Sequence, residues 1–151
     1  MPKWILPIAS SFAVVAGAGL FLCGVAQFVT CLGTRPPPED FLTALEYGMA
    51  IVWVAALVIS RPITNDFRSD DFWKAALRGC PHWMKFSLCG LIGYGVLSFF
   101  LFAANSEPLK RSGPTGRTTG AYSTLIVFYA IAFAVLYSAR RIAIRDVNDE
   151  T

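Results

Sequence analysis

Four long apolar stretches alternate with short polar connections along the chain. The first, Leu6 to Leu32, carries no charged side chain, and Ser10, Ser11, Gln27 and Thr30 are its strongly polar members. At about 1.5 Å per residue it is longer than a hydrocarbon core of roughly 30 Å, which predicts a tilted or protruding helix. The second, from Ala44 to Ser60, is the shortest and is expected to end at Arg61-Pro62, because proline steers its predecessor out of helix. Thr43, with Glu46 three positions later, matches a capping box for its start. The third, from His82 to Ala104, follows Pro81, whose missing N–H costs nothing in a first turn. The fourth, from Thr119 to Ala139, exits at Arg140-Arg141. The predicted spans are therefore 6–32, 44–60, 82–104 and 119–139. Barrel strands need only about ten residues of alternating polarity, whereas these runs are longer and unbroken, so helices are expected.

Lys3 before an apolar run and the small cluster Ala16-Gly17-Ala18 suggest a signal peptide. The run continues well past that point to Thr30, so the first span is expected to be retained.

Composition agrees with the pattern. Hydrophobic residues make up 55% and charged residues 15%, against about 25% charged in a soluble domain. The expected fold class is all-α: a polytopic membrane protein, one compact domain with a four-transmembrane-helix bundle and lipid around it. Disordered, disulfide-scaffold and nucleic-acid-binding classes are excluded as the main description. If every stretch crosses, Lys3, the 61–85 connection and the C-terminal tail hold nine basic residues on one side, and the opposite connections hold four. The positive-inside rule then places both termini in the cytoplasm of a bacterial inner membrane. The net charge of +3 is accounted for by anionic lipid headgroups, without nucleic acid as a partner.

The connections differ in character. Residues 33–43 contain Pro36-Pro37-Pro38 and read as a stiff extended turn. In 61–85, Asp70 or Asp71 can cap a short helix over about 70–78 in which Trp73 and Leu77 share a face. That predicts an in-plane cytoplasmic helix, with Trp73, Leu77 and Trp83 as interface anchors. Residues 105–118, with Gly113-Pro114 and Gly116, read as a flexible loop.

Small residues predict close helix packing in lipid: Ala9, Ala13, Gly17 and Gly24 in the first span, Gly90 and Gly93 in the third, Ala130, Ala134 and Ser138 in the fourth. Tyr129 and Gln27 are expected to face the bundle interior, where their polar atoms find partners. Together with Glu46, Tyr94 and Ser98 they form a candidate polar path. Glu46 also reads as a headgroup-level cap.

Catalytic chemistry is sparse. Cys23, Cys31, Cys80 and Cys89 form no C-x-x-C pair, and His82 is the only histidine. Cys80 and His82 are weak metal candidates, short of the ligands zinc requires, so no metal site and no cofactor is expected. No serine–histidine–acid set or paired membrane carboxylate marks a catalytic residue. The leading functional expectation is a structural or accessory subunit that packs against another membrane protein or self-associates. The alternative is a small channel or transporter, oligomeric because four packed helices leave little room for a path. A metal-dependent membrane enzyme ranks below both.

Overall fold

A computed structural model describes residues 5–32, 38–64, 74, 76–105 and 114–149. Four helices make up the fold: α1 (Ile5–Cys31), α2 (Glu39–Thr64), α3 (His82–Asn105) and α4 (Pro114–Asp149). Three described segments, Leu6–Cys31, Asp40–Arg61 and Gly120–Arg145, are long and apolar enough to cross a membrane. The chain is a small all-α membrane protein built as a compact four-helix bundle.

The helices run past the predicted apolar spans. α2 begins at Glu39, so Thr43 lies inside the helix and does not cap it. The carbonyl of Pro38 instead accepts the N–H of Phe41 at 3.0 Å, and Asp40 occupies the first turn, where the helix dipole favours an acidic residue. At its other end α2 continues through Arg61-Pro62 to Thr64. Proline is tolerated there because the disturbance falls in the last turns and leaves most of the helix intact. α4 extends beyond Arg140-Arg141 to Asp149. Of the predicted interfacial helix over 70–78, residues 70–73 and 75, Trp73 among them, lie outside the described residues. Lys74 and Ala76 are helical, and Leu77 to Gly79 form a turn.

α4 is the hub. It packs against α1, α2 and α3, α1 also packs against α2, and α3 approaches only α4 at backbone distance among the described residues. Burial follows: 56% of the α4 apolar window is buried, against 33% for α1 and 22% for α2.

A single spacing organises these contacts. On α1 the buried seam runs Ala9, Ala13, Ala16, Cys23, Gln27 and Thr30, with half-buried Leu20 filling the register. On α4 it runs Tyr122, Leu125, Tyr129, Ala132, Leu136, Ala139 and Ala143. Steps of three and four residues keep a seam facing a partner helix crossed at a shallow angle. Strict four-residue steps rotate about 40° each around a 3.6-residue helix and leave that face. Gly17, reached by a second four-residue step, accordingly lies half-buried beside the α1 seam, as does Gly24 seven residues on. A second α4 face, Ala130, Ala134 and Ser138, receives Cys80 from the turn before α3 and Met84 and Leu88 from the first turns of α3.

Two glycines are required by one ring. A Cβ on Gly19 would lie 2.4 Å from the Tyr129 ring, and one on Gly48 would lie 2.8 Å from its hydroxyl. Tyr129 is 2% exposed and donates its hydroxyl hydrogen to the Leu45 carbonyl at 2.8 Å, so it has no room to retreat. Gly19→Ala is therefore expected to cost about 1–3 kcal/mol through overpacking. Gly24→Ala, whose Cβ would meet nothing within 4 Å, should leave stability unchanged or slightly raised. Thermal unfolding of the detergent-solubilised variants checks the contrast, and equal midpoints would contradict it.

Candidate functional site

Polar side chains are scarce in the bundle, which makes their placement informative. Gln27, near the C-terminal end of α1, is 6% exposed. Its Nε2 donates to the Tyr94 hydroxyl on α3 and, at 2.8 Å, to the Ser123 hydroxyl on α4. One amide thus ties three helices together. It is a side-chain link from α1 to α3, two helices that do not approach at backbone distance among the described residues. Gln27 Oε1 is buried and has no hydrogen-bond partner, and neither has the Tyr122 hydroxyl. A carbonyl oxygen left unpaired in a low-dielectric interior carries a desolvation penalty of about 1–3 kcal/mol, so its presence needs a reason.

A groove of about 430 Å³ opens beside this cluster. Leu20, Gly24 and Phe28 of α1 form one wall, Leu91 and Tyr94 of α3 the other, with Ile126 of α4 beneath. Gly24 keeps the α1 wall low, because nothing lies within 4 Å of where its Cβ would be.

The candidate polar path is distributed over several environments. Gln27 and Tyr94 are brought together. Tyr129 turns the other way, to the Leu45 carbonyl of α2. Glu46 is exposed on α2, and Ser98 is half-buried on α3. Among the packing residues, Ala9, Ala13, Ala130, Ala134 and Ser138 are buried. Gly17 lies 3.5 Å, measured from its would-be Cβ, from the Phe133 ring, whereas Gly24, Gly90 and Gly93 meet nothing within 4 Å. Of the interface anchors, Leu77 is half-buried and Trp83 exposed. Ser123 and Gly19 carry contacts that spacing did not single out. Ser123 is flanked by polar Thr124 near the end of a span, so nothing in the sequence distinguished it from an ordinary end residue.

The turn before α3 forms a second junction. The Gly79 N–H donates to Ser138 Oγ at 2.9 Å, and Cys80 Sγ donates to the Ala134 carbonyl at 3.2 Å. A Cβ on Gly79 would lie 2.6 Å from the Ser138 carbonyl oxygen, so glycine is needed for this approach. The Pro81 carbonyl accepts the N–H groups of Met84 and Lys85 and starts α3. Cys80 is buried and His82 exposed. Among the described residues no three His, Cys, Asp or Glu side chains converge on a point. Burial pushes the Cys80 thiol up, opposed by the Ser138 hydrogen bond and by the charges of Lys85 and Arg141.

No family model, curated protein or solved structure matches the chain.

Cys80 provides a check on the second junction. Because its thiolate is disfavoured in the folded state, iodoacetamide alkylation of the folded protein should be slow near pH 8. It should keep accelerating with pH beyond the ordinary thiol value of about 8.5. The folded state holds this proton more tightly than the unfolded chain, so stability falls as pH climbs from the ordinary value toward the raised one. Peptide mapping after timed alkylation reads the rate; a Cys80 as reactive in the folded as in the denatured protein would contradict this burial.

Proposed function

We propose that the chain is a small, non-catalytic membrane subunit that works by packing against another membrane protein. The observation that carries this reading is the one-sided attachment of α3. Met84 and Leu88 seat it on α4, while Trp83, Phe86, Leu97 and Phe100 face outward. Gly90 and Gly93 also lie exposed on α3, with open space where a side chain would stand. Lipid tails cover an apolar surface of any relief, but a smooth glycine-bearing face lets another backbone approach closely enough for dispersion and Cα–H contacts. Glycine also weakens a helix by about 0.5–1 kcal/mol relative to alanine, a cost that close approach of a partner offsets.

The proposal includes four crossings, with α3 as the remaining span: its sequence from Ser87 to Ala104 is free of charge. Both termini then lie on the cytoplasmic side of a bacterial inner membrane, on the strength of the basic-residue bias. The channel or transporter alternative draws support from the Gln27–Tyr94–Ser123 cluster. Exposed Glu46 and the turn of Tyr129 toward α2 leave that cluster confined to one level of the bundle, which favours the subunit reading.

Two measurements test this reading. Single-cysteine accessibility labelling in a background lacking the native cysteines should place positions 3, 75 and 148 on one side and 113 on the other; position 75 sharing a side with 113 would reverse the topology. Solubilisation in a mild detergent should recover the chain with a second membrane polypeptide, and Gly90→Leu with Gly93→Leu should release it. A chain that is reproducibly alone counts against the subunit role.

A further inference from the structure

The groove beside Gln27 has the length and lining of a hydrocarbon site. Its α1 wall runs from Leu20 to Cys31, about 16 Å at 1.5 Å per residue, which matches one leaflet of a roughly 30 Å hydrocarbon core. Leu20, Phe28, Leu91 and Ile126 line it, and a single hydrocarbon chain can lie along that length.

The polar end of the groove adds chemical selectivity. Tyr94 is 41% exposed and lines the opening, and its hydroxyl oxygen accepts the Gln27 N–H. A phenol oxygen that accepts this N–H keeps its own hydrogen to donate elsewhere, and accepting one bond strengthens the donation of the next. In lipid such a hydrogen is costly unless it meets an acceptor. Gln27 is fixed from behind by Ser123 at 2.8 Å and is 6% exposed, with Oε1 unpartnered at the same polar end. Gln27, with Tyr94 of α3 bonded to it, lies toward the C-terminal end of α1, and Leu20 lies toward the middle of α1.

We infer that this groove binds one acyl chain of a diacyl ester phospholipid. The chain lies over Gly24 between Leu20 and Leu91, and its ester carbonyl accepts the Tyr94 hydroxyl hydrogen. The inference rests on membrane embedding and not on the subunit role: a solitary chain that holds one ester lipid would count against that role and support this site.

The test compares two phospholipids that differ at the proposed acceptor. The full chain is reconstituted with equal amounts of dioleoyl phosphatidylcholine and its dialkyl ether analogue, which lacks the ester carbonyls, and retained lipid is counted by native mass spectrometry. One ester lipid should be retained over the ether lipid by about threefold, the worth of one average hydrogen bond within a membrane. Tyr94→Phe should abolish the preference while keeping a lipid bound. Gly24→Leu, which meets no neighbour within 4 Å of its Cβ, should expel both lipids at an unchanged thermal midpoint. Equal retention of ester and ether lipid by the unaltered protein would overturn the carbonyl contact. Undiminished lipid on Gly24→Leu, or a polypeptide cross-linked from Cys31 in place of lipid, would overturn the site.

Discussion

The bundle depends on where one aromatic ring is seated. Tyr129 projects from the middle of α4 into a recess made by the absence of side chains at Gly19 on α1 and Gly48 on α2. Its hydroxyl reaches the Leu45 carbonyl on α2. Any other residue at either glycine would displace the ring, and displacing the ring would separate the helices that form the larger core. The contact is polar at its tip and apolar along its body, which suits an environment where a phenol hydroxyl without a partner is expensive and aromatic area is not.

Within a bilayer the hydrophobic effect does little to draw one helix to another, so shape has to supply the affinity. Seams stepping by three and four residues on α1 and α4 provide the shape, and small side chains such as Ala9, Ala16, Ala132 and Ala139 let the backbones come close. The polar links set position more than stability. Interhelical side-chain hydrogen bonds in membranes average only about 0.6 kcal/mol, yet Gln27 and Ser138 fix where α3 sits along the bundle at two separated levels.

Much of this architecture was legible in the sequence. Uninterrupted apolar runs marked the cores of the helices, because charge in hydrocarbon is strongly penalised. Helix ends were less legible. A hydropathy boundary reports where lipid stops, whereas a helix continues while backbone hydrogen bonds persist, as α2 does from Glu39 through Pro62. The convergence of Gln27, Tyr94 and Ser123 was half visible. A glutamine in an apolar helix announces that it needs a partner, but its partner lies 96 positions away, and no local pattern encodes that pairing. Likewise, nothing separated the glycines that seat a ring, Gly19 and Gly48, from Gly90 and Gly93, which face open space; the difference is made by Tyr129 and not by the glycines.

The hub is also the last of the four helices. During synthesis α1, α2 and α3 leave the ribosome before α4 exists. α1 and α2 can pair at once, since they pack directly. Until α4 follows, α3 has its seating face, Met84 and Leu88, uncovered, while Tyr94 bonds to Gln27 of α1. Arrival of α4 closes the assembly in one step, so a nascent chain truncated before Pro114 would hold a paired hairpin and a stray helix.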